Sequence, residues 1–237
     1  MSSIALQSTT AAPAPTFRAE EDLLRAARRG DRDAFQELCR RHGPSAWRLA
    51  TAVAAERDQA GDCVAEGFVR AVRGAASRPA AAGVRGAVLA GVYRRAIETA
   101  RRAGEAPAAS GEDGGALETA FRSLPERWRA ALWLAEVEGF DAEATGAVLG
   151  LPAAAGRQLV DRGRRGLAAR MDYRGDAVPA ALGTALAALT PSLPAALPER
   201  VAARWHHAIS VDRATRFVPA GLRGERAPRA VGVAATG

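Results

Sequence analysis

The sequence predicts an all-α protein built as two helical modules, and three observations predict it. Apolar residues recur at three- and four-residue spacing through most of residues 20–171. Gly, Pro and Asp interrupt those runs at intervals of about one helix. The stretch "AGEAPAASGEDGG" at residues 103–115, made of small and flexible residues, divides the whole in two.

Taken in order, "MSSIALQSTTAAPAPT" has no periodicity and predicts a disordered lead over residues 1–17. Leu23, Leu24, Ala27, Ala34, Phe35 and Leu38 then recur at helical spacing over residues 20–41. They are interrupted by "GDRD", where Asp31 can cap a second helix, so a helical hairpin is expected. A further helix is expected over residues 44–55, and another over residues 59–72 with Val64, Phe68 and Val72 on one stripe. The Ala-, Gly- and Pro-rich residues 75–86 read as a loop, and residues 87–102 as a helix. Together these make a first domain at 18–103, followed by a flexible linker at 104–114.

The second domain, 115–171, reads as four short helical segments broken at Ser123-Leu124-Pro125, at Gly139 and at Gly150-Leu151-Pro152. Pro125 and Pro152 suit the first turn of a helix, where a missing N–H costs nothing. The last pair, 141–149 and 153–170, joined by a Gly-containing turn, has the helix-turn-helix pattern. In such a unit the second helix reads the major groove. Val160 and Leu167 lie on the inward face, leaving Arg157, Gln158, Arg162, Arg164 and Arg165 outward. Gly146, Gly156, Gly163 and Gly166 lower helix propensity and predict a soft module. Residues 172–237 read as an extension with two short apolar helices punctuated by Pro179, Pro191, Pro194 and Pro198, then an Arg-, Gly- and Pro-rich tail.

Composition narrows the function classes. All 33 basic residues are arginine, and the net charge of +7 favours an acidic partner such as nucleic acid. No apolar run approaches the roughly 20 residues of a bilayer span, and the N-terminus lacks the pattern of a signal peptide, so a cytoplasmic protein is expected. Two cysteines, Cys39 and Cys63, cannot build a disulfide framework. Cys39 reads as a small buried hydrophobe. His206 and His207 point about 100° apart on a helix with no third ligand near, so neither metal nor cofactor is expected. There is no P-loop, no dinucleotide fingerprint and no nucleophile elbow, and carboxylates such as Glu136 and Glu138 lack partners for acid–base work, so no enzyme is expected.

At residues 20–171 the chain resembles the extracytoplasmic-function (ECF) sigma factors, small bacterial subunits that direct RNA polymerase to promoters. "LLRAARRGDRDAFQELCRRHGPSAWRLA" resembles their first conserved helices, and "AGDCVAEGFVRAVRG" their A-E-D-L-V-Q-E-x-F-L-R-A run. After the linker, "LPERWRAALWLAEVEGFDAEATGAVLGLPAAAGRQLVDRGRRGL" resembles the L-P-x-x-x-R opening and the L-G-[IL]-P turn. The resemblance implies that 18–103 is a region-two-like bundle and 115–171 a region-four-like helix-turn-helix domain. It also implies core RNA polymerase and promoter DNA as partners, with an anti-sigma or other regulatory protein as a further candidate.

By the same resemblance, Asp62, Val64, Glu66 and Arg70 would meet the polymerase clamp. Arg85, Tyr93, Arg94, Arg95, Glu98, Arg101 and Arg102 would serve the minus-ten element. Arg157, Gln158, Arg162, Arg164 and Arg165 would serve the minus-thirty-five element. The chain departs from the pattern in places. The family's Trp-Leu and later Asn fall on Ala87, Val88 and Arg94, and Ala144-Thr145-Gly146, Ala155-Gly156 and Leu159 replace usual contact residues. Only Tyr93 offers an aromatic platform for unstacked bases in the helix at 87–102. The alternative is therefore a sigma-like DNA-binding regulator or interaction module that has lost promoter melting.

Overall fold

The first two helices follow from their charge and capping. α1 (Glu20–Arg28) opens on Glu20, Glu21 and Asp22 and closes with Arg25 and Arg28, charges that complement the helix dipole at each end. The chain turns at Gly30, whose φ of 95° suits glycine. Asp31 then caps α2 (Arg32–Val53), its carboxylate accepting from the Ala34 N–H at 3.0 Å, as the sequence predicts. The expected break before residue 44 is absent, because α2 runs unbroken through Pro44. Pro44 stands on the exposed side of the helix, whereas Phe35, Leu38, Trp47 and Leu49 are buried on both sides of it. That burial holds the two halves in line against the loss of one backbone hydrogen bond.

This computed structural model describes residues 19–54, 57–74, 82–103, 115–171 and 181–216, which form ten helices and no strand. The chain is all-α. The predicted lead and linker, and the tail beyond residue 216, lie outside the described residues. No helix among the described residues is long and apolar enough to cross a membrane.

α3 (Arg57–Arg73) and α4 (Gly83–Ala103) form the most extensive helix pair. A Cβ on Gly91 would stand 2.8 Å from the Gly67 Cα, so the two backbones meet at their glycines. α4 starts at Gly83, four residues before the expected 87, which places Arg85 in its first turn rather than in a loop. Val84 and Val88 continue the buried stripe, and that burial outweighs the Gly-rich composition.

α5 (Ala116–Arg122), α6 (Glu126–Glu136), α7 (Ala142–Leu149) and α8 (Ala153–Arg170) fall at the predicted breaks. Gly139 and Gly150 take φ of 69° and 71° at the two turns. Asp141 caps α7 by accepting from the Ala144 N–H at 2.8 Å. Pro125 and Pro152 stand one residue earlier than expected, as the N-caps of α6 and α8. The reading of the glycines as soft points needs correction. A Cβ on Gly156 would sit 2.8 Å from the Ala142 carbonyl oxygen, and one on Gly146 would sit 2.7 Å from that of Leu151. Gly163 and Gly166 likewise lie against Trp128. Their cost in propensity is the condition for close helix crossing.

The extension also differs from expectation. α9 (Leu182–Ala188) is short, but α10 (Leu197–Arg216) is 20 residues long and begins through Pro198, which its first turn tolerates. Leu197, Val201, Trp205 and Ala208 form a buried stripe at helical spacing that lies across α2 and α3. Trp205 stacks on Phe35 with ring centroids 4.3 Å apart and planes within 5°. Trp47 Nε1 donates to the Pro191 carbonyl at 2.9 Å, tying the approach to α10 onto the bundle. One connected apolar cluster runs from Leu23 to Ala208.

Candidate nucleic-acid interface

α8 presents the clearest basic face. Val160, Leu167 and Ala168 are buried, while Arg157, Gln158, Arg162, Arg164 and Arg165 are exposed, so side-chain direction follows the predicted division. The arginines are not equivalent. Arg164 is tied back to α6, its Nη2 lying 2.6 Å from Glu136 Oε1. Arg157, Gln158, Arg162 and Arg165 make no hydrogen bond or ion pair among the described residues. Arg157 and Gln158 lie in the second turn of α8, and Arg162 and Arg165 lie further along the same helix.

The residues expected on the minus-ten side divide in two. Arg94, Arg101 and Arg102 are exposed on α4, and Arg95 is half-buried. Arg85 and Tyr93 are turned inward. Tyr93 is only 8% exposed, and burial pushes its hydroxyl pKa up. The Arg85 guanidinium lies 4.8 Å over the Phe140 ring, bonds to the Glu138 carboxylate and donates to the Glu138 carbonyl at 3.1 Å.

Glu138 is the centre of that arrangement. Its carboxylate is fully buried, accepts from Ser45 Oγ at 2.8 Å and from Arg48 Nε at 2.9 Å, and also meets Arg85. Burial pushes the Glu138 carboxyl up, but hydrogen bonds from Arg48 and Ser45, the Arg48 charge and the Arg85 hydrogen bond outweigh it and hold it below the ordinary glutamate range. This contact joins α2 and α4 to the turn after α6. Arg129 makes a second such contact, donating to the carbonyls of Arg122, Leu124 and Val53. The motif "LPERWR" marked Arg129; nothing local marked Ser45, Arg48 or Glu138, because Glu138 meets Arg85 across 53 residues, Arg48 across 90 and Ser45 across 93.

The residues expected to meet polymerase sit on α3 in an ion network. Arg70 bonds to Glu66 at 2.9 Å and, through both terminal nitrogens, to Glu98 at 3.0 and 2.9 Å. The Arg70 hydrogen bond is the main cause that lowers the Glu98 pKa. Partial burial raises Glu66, yet hydrogen bonds from Arg70 and Arg204 bring it below the ordinary range. Asp62 is exposed, whereas Val64 is fully buried against the core. Arg204 belongs to α10, so the extension already occupies part of this face.

Metal chemistry finds little here. Burial pushes both the Cys39 and Cys63 thiols up to about 12. His206 and His207 are exposed on α10, and no group of three His, Cys, Asp or Glu residues among the described ones could hold a metal ion.

No protein-family model and no curated protein matches this chain.

Proposed function

We propose that this chain is a sigma factor of the extracytoplasmic-function type, a non-enzymatic cytoplasmic protein that binds core RNA polymerase and directs promoter-specific initiation. The observation that carries the reading is the outward face of α8, where the side chains of Arg157, Gln158, Arg162 and Arg165 stand exposed behind the Gly150 turn with no partner among the described residues. The ordered motifs of both modules support it.

In this reading Arg157 and Gln158 contribute base contacts in a minus-thirty-five element, and Arg162 and Arg165 bind phosphates. Arg164 adds a phosphate contact after release from Glu136. Arg94, Arg101 and Arg102 track the backbone near the minus-ten element, a sequence-independent and salt-sensitive attraction. Asp62, Glu66 and Arg70 meet the polymerase clamp. A regulatory protein would act by masking one of these faces.

A second reading has a specific observation in its favour. Tyr93 and Arg85, two groups assigned to the minus-ten element, are buried or engaged within the protein. A sigma-like regulator that binds duplex DNA without melting it needs neither.

Reconstitution with core polymerase and mapping of transcription start sites tests the choice. Start sites that depend on the added protein are expected. Duplex binding without any new start site overturns the sigma reading in favour of the second. Within the sigma reading, Arg157→Ala is expected to relax promoter preference at one position by about 1–3 kcal/mol, and Arg165→Ala to weaken all duplexes alike.

A further inference from the structure

We infer that α10 is an internal competitor of RNA polymerase: it occupies the α3 face and must leave before that face can dock. This rests on the proposed sigma reading. Three contacts place α10 there. Arg204 Nη2 lies 3.1 Å from Glu66 Oε2, so a cationic side chain already satisfies the carboxylate assigned to the clamp. Arg200 covers α3 where a Cβ on Gly61 would lie 2.5 Å from its Nη1. Arg73, in the last turn of α3, bonds through Nε and Nη2 to both oxygens of Asp212 at 3.0 and 2.8 Å. α10 therefore sets a cationic side chain on Glu66 and an acidic one on Arg73, while Trp205 anchors it on Phe35 of α2.

The same contacts show why the cover can come off. Between α10 and the bundle lies a cleft of about 540 Å³, lined by Phe35, Val64, Phe68, Leu197 and Val201 among others. The cleft opens to solvent past Gln36, Arg40 and Glu199, so α10 meets α2 there over only part of its length. The Trp205 indole N–H is buried and finds no acceptor among the described residues, which offsets part of the gain from stacking. The ion pairs at the edge are reached by water, with side-chain exposures of 40% and 37% for Arg73 and Asp212 and 52% for Arg204, although its partner Glu66 is only 18% exposed. Exposed pairs hold weakly. The cover is held by the buried stripe of Leu197, Val201, Trp205 and Ala208, centred on the Trp205 stack, and guided at its edge by charge.

If only the uncovered state binds, the apparent dissociation constant is the intrinsic one divided by the uncovered fraction. The test measures the affinity of the full-length chain for core RNA polymerase in three variants. Trp205→Ala removes the anchor and is expected to bind core roughly tenfold tighter or more. Asp212→Arg sets like charges together at Arg73 and is expected to bind roughly two- to fivefold tighter. The exchange Arg73→Asp with Asp212→Arg restores the attraction and is expected to return towards wild-type affinity. Hydrogen exchange in the wild-type complex is expected to show α10 losing protection. Should Trp205→Ala fail to fold, the charge variants carry the test alone. Wild-type affinity in Asp212→Arg, with α10 still protected in the complex, overturns the competition and leaves the sigma reading standing. Absence of core binding by every variant overturns the sigma reading and the competition with it.

Discussion

Two joints attach later parts of the chain to the α1–α4 bundle, and they are built in opposite ways. The joint to α6–α8 centres on a fully buried carboxylate, Glu138, bonded to Ser45, Arg48 and Arg85, with Arg129 reaching across to Val53. The joint to α10 centres on a ring stack, Trp205 on Phe35, beside an open cleft and bordered by partly solvated ion pairs. A buried charge network tolerates no half-measures, because removing one partner strands another away from water. An apolar contact rimmed by exposed charges can be given up more gradually. The first joint ties α6–α8 to the bundle, while the second lays α10 over part of α3.

The largest effect should come from breaking the first joint. Glu138→Ala removes at once the charge-assisted hydrogen bonds from Ser45, Arg48 and Arg85, each worth about 1.5–3 kcal/mol. Because Arg48 and Arg85 can turn partly to water, the expected cost in chemical denaturation is about 3–5 kcal/mol rather than their sum. The same variant checks the pH dependence. The folded Glu138 carboxyl titrates below its unfolded value, so its stabilisation is present above the unfolded pKa and is lost as pH falls through the folded one. The wild type should weaken on the acid side of the ordinary glutamate range, and Glu138→Ala should show a shallower acid limb. An unchanged limb would remove Glu138 from the account.

Next in size, Trp205→Ala should lower stability by about 3 kcal/mol, at the low end for a buried tryptophan because the neighbouring cleft is already unfilled. Hydrogen exchange should place the loss in α10 and spare α6–α8. Gly156→Ala serves as a control inside the α7–α8 pair, away from both joints. Its new methyl would press on the Ala142 carbonyl, so a loss of about 1–3 kcal/mol is expected despite the better helix propensity of alanine. A gain in melting temperature would restore the view of Gly156 as a soft point. The smallest effect is expected from Asp212→Ala, about 0.2–1 kcal/mol and diminishing with added salt. A cost comparable to that of Glu138→Ala would erase the contrast between the joints.

Most helices were legible because their signals are local. Asp31 and Asp141 cap where an aspartate precedes an apolar run, and Gly139 and Gly150 end helices in the left-handed region that glycine favours. The outward arginines of α8 were legible for the same reason, since Val160 and Leu167 fix the face. Pro44 and the start of α4 misled because burial on both sides outweighed a local breaker. The glycines of α7 and α8 misled because propensity describes an isolated helix and says nothing of a neighbour 2.8 Å away.

By itself, then, the sequence determined the all-α class, most helix ends, the basic face of α8 and the absence of a membrane-length apolar run, all of which depend on residues within a few turns of one another. Only the tertiary structure decided which charges remain free. Arg85, Glu138, Glu66 and Arg204 look alike as polar residues on helices and turns, yet Glu138 is fully buried and binds Arg85, while Arg204 lies over Glu66. Partners 53 and 138 residues apart in the chain meet because apolar stripes elsewhere pack their helices together. The energy of a charge depends on what that packing brings beside it and on whether water can still reach it.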